Sequence, residues 1–327
     1  MRRFRRTRHL KNIMIEINGL TKRYGRHTVV DDLSFRCESG EVLGFLGPNG
    51  AGKSTTMKML TGFVTPSAGG ASVCGHDIAT DGLAARRKLG YLPEGAPCYA
   101  EMTPGSFLEF IADIRGLTGS ERKSRLDEVI ERLHLGPVLQ QSVDTLSKGF
   151  KRRVGLAQAI LHDPEVLILD EPTDGLDPNQ KHEVRELILS MAEDKLIVIS
   201  THILEEVEAV CSRAIIIANG KILADDTPHA LAMQSRYHNA VRVSLSDGDN
   251  IDEIEAAVSA LGAVDATETD RIHGHVVAIA KQGDAGIATW QQVTDLVNDK
   301  GWTVEGLQLE AGRLDEIFRQ ITQGERA

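Results

Sequence analysis

Residues 47–54 read Gly47-Pro48-Asn49-Gly50-Ala51-Gly52-Lys53-Ser54, which matches the pattern G-x-x-x-x-G-K-[ST]. The apolar run Val42 to Leu46 precedes the match and a helix-like stretch begins near Lys53, so a strand, a glycine-rich loop and a helix follow one another. Glycines allow backbone N–H groups to turn towards a polyphosphate, and the helix N-terminus adds the positive end of its dipole. Lys53 is then placed to reach the β and γ oxygens, and Ser54 to offer a hydroxyl to Mg²⁺. A chance match in a glycine-rich turn is the alternative, and the flanking strand and helix argue against it.

A second apolar run, at 166–169, ends in the two carboxylates Asp170 and Glu171. Four aliphatic residues in succession are typical of a strand that is buried on both faces of a parallel sheet. The carboxylates are then expected at the C-terminal edge of that sheet, beside the glycine-rich loop. We therefore interpret Asp170 as the carboxylate on the Mg²⁺ side and Glu171 as the general base for an attacking water. Two solvated acids in a turn are the alternative, which the upstream glycine-rich loop disfavours.

A helix is predicted to begin after Ser147, because serine is a favoured N-cap. At this point the chain resembles the ATP-binding cassette (ABC) ATPases, whose signature in this place is usually L-S-G-G-Q. Lys148 and Phe150 depart from that signature, so the match rests on Leu146, Ser147 and Gly149. The resemblance implies that the Ser147 hydroxyl and the Gly149 N–H meet the γ-phosphate of an ATP held by a partner subunit. An ordinary capped helix with a basic first turn is the alternative.

The resemblance covers about residues 15 to 230 and implies roles for side chains outside these motifs. It implies that Tyr24 stacks on adenine, that Asp177 crosses a dimer interface, and that His202 bonds to the γ-phosphate and the attacking water. The alternatives are a half-buried tyrosine at a strand end and a histidine with a structural role. The residues expected to contact ATP on this account are Tyr24, Gly47, Pro48, Asn49, Gly50, Ala51, Gly52, Lys53, Ser54, Thr55, Ser147, Gly149 and Asp177.

Glu94 departs from the family pattern. Most family members have a glutamine that touches Mg²⁺ where this chain has Glu94, at the end of the sequence Y-L-P-E. A carboxylate there can still reach the metal or a water, but it is repelled by the triphosphate and by Glu171. We therefore assign Ser54, Asp170 and Glu94 as the predicted metal ligands and expect activity to persist with the carboxylate in place.

The predicted fold class is α/β, a P-loop NTPase cassette with a mixed sheet, followed by a small α+β domain. The expected parts are a basic tail at 1–13, an ABC ATPase domain at 14–230 with a helical subdomain at about 95–163, and an accessory domain at 231–327. In the last part, strand and helix signals follow the order β-α-β-β-α-β, which is the ferredoxin-like arrangement. It resembles the accessory domain of exporter-type cassettes. Fold alone gives no function, so dimer support and regulation both stay open.

Length and charge limit the classes of partner. A chain of 327 residues has room for one cassette and a smaller domain but not for two cassettes. No uninterrupted apolar run approaches the roughly 18 residues that span a bilayer, so membrane passage is assigned to a separate polypeptide. Without the six basic residues of the tail, the formal net charge falls from −10 to −16, which disfavours a nucleic-acid partner. The four scattered cysteines predict reduced thiols rather than disulfides or a zinc site.

The sequence therefore predicts the ATP-binding and ATP-hydrolysing subunit of an ABC transporter of the exporter type. The resemblance implies ATP and Mg²⁺ as cofactors, with an integral membrane permease subunit and a second copy of the ATPase as partners. The expected location is cytoplasmic, peripheral on the inner face of the cell membrane. The alternative is a soluble ABC-type ATPase that remodels a macromolecular complex, which the lack of a long coiled coil or second cassette disfavours. A binding module that does not hydrolyse ATP is disfavoured by Glu171 and His202.

Overall fold

The structure, a computed structural model, describes residues 12–96, 98–246, 250–281, 283 and 286–323. Most of the basic tail predicted at 1–13 therefore lies outside the described residues. The chain divides into two compact units, Met1–Thr227 and Pro228–Ala327, with the division close to the predicted boundary after residue 230. Each unit is described by itself.

The first unit contains two sheets. Its strands are β1 (Ile13–Tyr24), β2 (His27–Glu38), β3 (Val42–Leu46), β4 (Ala68–Val73), β5 (His76–Asp77), β6 (Leu89–Leu92), β7 (Val166–Asp170), β8 (Leu196–Thr201), β9 (Arg213–Ala218) and β10 (Lys221–Asp226). An antiparallel sheet has the order β2-β1-β4-β5, and a second sheet has the order β10-β9-β3-β8-β7-β6. Neighbouring strands from β9 to β6 are parallel, and β10 is antiparallel to β9, so the second sheet is mixed as predicted.

The described part of the first unit contains seven α-helices. They are α1 (Lys53–Leu60), α2 (Gly82–Arg87), α3 (Pro104–Arg115), α4 (Gly119–Arg132), α5 (Lys148–Ile160), α6 (Pro178–Met191) and α7 (Leu204–Val210). Thr103 caps α3, because its hydroxyl accepts a hydrogen bond from the Ser106 N–H and proline follows at the first helical position. Short 3₁₀ turns at Gly136–Val138 and Val143–Thr145 separate α4 from α5. The region between β6 and β7 is therefore helical, as predicted.

The parallel strands bring the predicted motifs to one edge of the sheet. β3 and β7 are buried along their whole length and flank β8, in which every residue is also buried. In register, Leu46 pairs with Thr201 and Asp170 pairs with Ser200. The segments that follow β3, β7 and β8 therefore leave the sheet side by side, and the segment after β6 leaves beside β7.

The second unit has the predicted order of elements. Its strands are β11 (Val241–Leu245), β12 (Val264–Asp270), β13 (His275–Ala280) and β14 (Val304–Leu309), and its helices are α8 (Pro228–Ala232), α9 (Ile251–Ser259), α10 (Ile287–Lys300) and α11 (Leu314–Gln323). The antiparallel sheet has the order β12-β13-β11-β14, with α9 and α10 as the two crossover helices. Valines on one face of β11 and β13 form a core with α9 and α10, so this unit has an apolar centre of its own.

Among the described residues, no helix combines the length and apolar character needed to cross a lipid bilayer. The four cysteines are free thiols.

Candidate functional site

The glycine-rich loop wraps closely around other parts of the backbone. Gly52, the N-cap of α1, has a φ of 106° in the left-handed region, where side chains are strained. A Cβ at Gly47 would lie 2.3 Å from the Ile217 carbonyl oxygen, closer than any side chain tolerates. Both positions therefore require glycine, and the loop between β3 and α1 has the shape that presents backbone N–H groups to an anion.

Lys53 lies inside this loop. Its ammonium donates to the carbonyl oxygens of Gly47 at 2.6 Å and Pro48 at 3.2 Å, and the residue is only 7% exposed. Burial lowers the pKa of Lys53, while the negative charges of Glu171, Asp170 and Glu94 act in the opposite direction. The three carboxylates predicted to serve the metal and the attacking water therefore all favour the charged form of Lys53, the predicted phosphate-binding lysine.

Asp170, the last residue of β7, is 1% exposed, and neither of its carboxylate oxygens has a hydrogen-bond partner within the described part of the chain. The neighbouring Ser200 hydroxyl is also buried without a partner there. A buried carboxylate without partners costs free energy, because it has lost its hydration. Carboxylate and hydroxyl oxygens suit Mg²⁺, so the donor set at this point fits the predicted cation.

Glu171 follows directly and has an unusual backbone. Its φ is 51°, in the left-handed region, which costs a non-glycine residue about 1–3 kcal/mol. Its N–H donates to the Ser200 carbonyl at 2.8 Å, and its Oε1 lies 2.8 Å from Nδ1 of His202. Burial raises the pKa of Glu171, opposed by the hydrogen bond to His202. The structure thus brings the two residues predicted to be catalytic into direct contact.

Glu94 lies in the segment after β6 and is exposed. It acts electrostatically on Lys53 and on the phenol of Tyr91, whose pKa is raised by burial first and by Asp170 and Glu94 after it. The Glu94 carboxylate therefore lies close enough to Lys53 and Tyr91 to affect their pKa values but is exposed to solvent.

The residues predicted to serve a partner's nucleotide lie on exposed helix N-termini. Ser147 caps α5, with its hydroxyl accepting from the Phe150 N–H at 3.3 Å, and Asp177 caps α6 by accepting from the Gln180 N–H at 2.9 Å. Both caps are exposed, whereas Gly149 is buried and a Cβ there would meet the Gln180 side chain at 2.4 Å. Tyr24, at the end of β1, is 52% exposed, with the Lys22 ammonium 5.0 Å from its ring centre.

Two residues of the site were not identified from the sequence motifs. The Glu206 carboxylate, 3% exposed in α7, accepts from the hydroxyls of Thr173 and Thr201 and so ties the segments after β7 and β8 together. Arg152 in α5 is 4% exposed and donates to the Glu171 carbonyl oxygen. The charge of Arg152 favours an exposed position. The helical spacing of the buried residues Gly149, Arg152 and Leu156 is the signal that places it on an inward face.

Comparisons with known proteins agree with this geometry. A family model described as ABC transporter matches residues 30–174. The Nod factor export ATP-binding protein I of Ralstonia nicotianae is 38% identical over 219 residues, which are 67% of this chain and 68% of that protein. A solved ATP-binding subunit of an ABC transporter is 33% identical with a TM-score of 0.64, covering 68% of this chain and 92% of that one.

A second solved structure shares the fold. It is an ATP-binding cassette in a dimeric, post-hydrolysis state bound to ADP and Pi, 22% identical with a TM-score of 0.61, covering 66% of this chain and 99% of that one. The glycine-rich loop after β3, the carboxylates at the end of β7 and the similarity over two thirds of a curated relative agree with one another. The chain therefore belongs to the ATP-binding cassette family and is a nucleotide-binding, ATP-hydrolysing subunit of an ABC transporter.

Proposed function

We propose that this chain is the ATPase subunit of an exporter, that it acts as a homodimer on a separate integral membrane subunit, and that Glu171 is its general base. The observation that carries the chemistry is the contact between Glu171 Oε1 and His202 Nδ1 beside the phosphate-binding loop. In this account the glycine-rich loop, Lys53 and Ser54 bind the phosphates. Glu171 accepts a proton from the attacking water, and His202 holds the Glu171 carboxylate in orientation.

Mg²⁺ is the cation that these residues fit. Asp170 and Ser54 are the proposed ligands, with Glu94 on the exposed side, and the partnerless buried carboxylate of Asp170 supports the assignment. When bound, the cation neutralises charge on the phosphate oxygens. The residues of the chain bind and orient the triphosphate and exclude water from its buried side.

Asp170→Asn tests the cation site without measuring activity. We expect the melting temperature of the nucleotide-free protein to rise by about 2–4 °C, because the variant removes a buried charge that no described residue hydrogen-bonds. The additional stabilisation by ATP with Mg²⁺ over ATP with EDTA should disappear. Scanning calorimetry under the three conditions measures both effects. A wild-type difference between Mg²⁺ and EDTA in the variant would refute the role of Asp170.

Glu94→Gln tests whether the exposed carboxylate is needed. The amide keeps the shape of the side chain and removes its repulsion from a triphosphate and from Glu171, so ATP turnover should be preserved or raised. Steady-state ATP hydrolysis at saturating Mg²⁺ measures it. A loss of more than about tenfold, or 1.4 kcal/mol of barrier, would mean that the chain uses this carboxylate directly.

The proposed homodimer is supported by the exposure of Ser147 and Asp177 and by the dimeric state of the cassette with the same fold. A helix N-terminus with an exposed serine cap can meet an anion that is presented from outside the chain. Within this chain, the phosphate-binding loop at the end of β3 is built without contribution from Ser147. The phosphate-binding loop of one subunit and Ser147 of the other are therefore proposed to bind the same ATP.

A groove in the first unit supports a membrane partner. Its volume is about 940 Å³, and the exposed apolar side chains of Leu83 and Ile114 lie along it. Arg86, Arg87 and Arg115 also line it, and its described lining residues include no Asp or Glu. We expect the occupant to be a cytoplasmic helix of the membrane subunit, apolar on one face and carrying an acidic side chain.

Co-expression with a candidate integral membrane subunit tests that assignment. The wild-type chain should be recovered with the membrane fraction only when the membrane protein is present, and Ile114→Glu should abolish the recovery while leaving soluble ATP hydrolysis intact. Ile272→Glu, at an 89% exposed position of the second unit, is the matched control and should behave as wild type. Equal recovery of both variants would remove the groove from the account.

Export is supported by the name of the relative above, which is an export ATP-binding protein. Cells that express the complete complex should accumulate less of an exported compound than cells that express the Glu171→Gln variant. Flow cytometry with a panel of fluorescent compounds measures accumulation. Higher accumulation with the active complex would indicate import.

A further inference from the structure

Arg152 is a buried cation that no carboxylate of the described residues contacts as an ion-pair partner. It lies on the inward face of α5, five residues after the Ser147 cap, and is 4% exposed. Across the described residues, no carboxylate oxygen lies within 4.0 Å of its guanidinium, whereas the neighbouring Arg153 pairs with Glu183 at 2.7 Å. Burying an uncompensated charge costs several kcal/mol, so its surroundings must supply the stabilisation.

The compensation comes from two sources. The guanidinium donates to the carbonyl oxygen of Glu171 and, at 3.5 Å, to that of Pro93. Burial lowers the pKa of Arg152, and the negative charges of Asp174, Glu171, Asp170 and Glu94 oppose that effect. Arginine nevertheless stays charged in proteins, so a fixed positive charge stands behind the acidic cluster of the nucleotide site.

The contact with Glu171 falls at the strained point of the site. Glu171 has a left-handed backbone, and each of its three polar groups is held by a different residue. The N–H bonds to Ser200 in β8, the carboxylate to His202, and the carbonyl to Arg152 in α5. Since the orientation of the Glu171 carbonyl is coupled to ψ of that residue, the α5 contact helps to fix the backbone from which its carboxylate extends.

The hydrogen bond from Arg152 to the Pro93 carbonyl links α5 to the segment after β6. Pro93 directly precedes Glu94 and lines the groove proposed for the membrane partner. The same guanidinium thus bonds to the backbone of the groove wall and to the backbone of the carboxylate proposed as the base. Arg152 lies in α5, which begins after Ser147, the residue proposed to meet the ATP of the second subunit.

We propose that Arg152 is a positioning residue for ATP hydrolysis, through which α5 and the Pro93–Glu94 segment fix the backbone, and hence the carboxylate, of Glu171. This proposal rests on the proposed role of Glu171 as the general base. A planar guanidinium suits the task, because its fork of N–H groups reaches two carbonyl oxygens while retaining one charge.

The test compares Arg152→Met, which removes donors and charge, with Arg152→Lys, which keeps the charge on a single ammonium. ATP turnover of the purified full chain should decrease in the order wild type, Arg152→Lys, Arg152→Met. We expect kcat to fall at least threefold for Lys and at least tenfold for Met, with KM for ATP within threefold of wild type. Should Arg152→Met yield no folded protein, the loss in kcat of Arg152→Lys carries the test, and wild-type kcat in either folded variant overturns the proposal.

Arg125→Met is the matched control. The Arg125 guanidinium also donates to two main-chain carbonyl oxygens, of Ile160 and Leu161 at the other end of α5. Its loss should lower the melting temperature and leave kcat within twofold of wild type. If Arg152→Met and Arg125→Met lower kcat equally, the effect belongs to helix stability and the proposal fails.

A double-mutant comparison separates this inference from the proposed function. In a Glu171→Gln background, measured by single-turnover hydrolysis, Arg152→Met should lower the residual rate by less than twofold, because Arg152 acts through Glu171. A further tenfold loss would overturn the proposal. If Glu171→Gln alone turns over as wild type, the proposed base is wrong, whereas an inactive Glu171→Gln beside a fully active Arg152→Met contradicts only the role of Arg152.

Discussion

Glu171→Gln should lower ATP turnover by about 10²-fold or more and leave ATP binding intact, because general bases contribute roughly 10²- to 10⁴-fold. The amide fits the same space and can still bond to His202, but it cannot accept the proton of the attacking water. The nucleotide-binding loop and Lys53 are unchanged. An ATP-bound dimer should therefore accumulate, because the step that ends that state is blocked.

Two measurements check this result. Equilibrium binding of a fluorescent ATP analogue should give a dissociation constant within threefold of wild type, and size-exclusion chromatography with ATP should show the dimer. Glu305→Gln makes the same exchange at an exposed position of β14 and should leave turnover unchanged. Turnover near wild type in Glu171→Gln would exclude Glu171 as the base.

Ser147→Arg should abolish ATP-dependent dimerisation while sparing ATP binding to the loop of the same chain. The substitution places a long cation where a γ-phosphate from a second subunit is proposed to approach the N-terminus of α5. It also removes the N-cap bond to Phe150, which costs about 1 kcal/mol of helix stability.

Thr103→Arg controls for the lost cap. It removes the equivalent bond at α3 and adds the same cation to that helix, outside the proposed interface. Analytical ultracentrifugation with ATP should show a monomer for Ser147→Arg and a dimer for Thr103→Arg. Dimerisation by both variants would argue against Ser147 at the interface.

Periodicity and turn chemistry were enough to predict the scaffold of the site. The apolar runs before Gly47 and after Glu165 become the buried strands β3 and β7, and the cap at Ser147 starts a helix where predicted. The second unit follows the predicted order of strands and helices. In each of these cases the signal is local, because burial on one or two faces fixes the spacing of apolar residues.

Contacts between distant segments were not predictable in this way. The left-handed backbone of Glu171 depends on partners in β8 and α5, and the Glu206 carboxylate joins two threonines from different segments. No local pattern encodes these distances. Arg152 carried a partial signal in its spacing from Gly149 and Leu156, but its charge favoured an exposed position until the acidic cluster was located around it.

The central claim is that one ATP is hydrolysed by residues of two chains, and mixing two inactive variants tests it most directly. Lys53→Ala lacks the phosphate-binding lysine and Ser147→Arg lacks the helix cap, so a mixed dimer contains one site in which both parts are intact. We predict that the mixture hydrolyses ATP although neither variant does so alone, and that either variant mixed with the Lys53→Ala/Ser147→Arg double variant stays inactive. Wild-type turnover by Ser147→Arg as a monomer, or a mixture no more active than its components, would contradict the shared site.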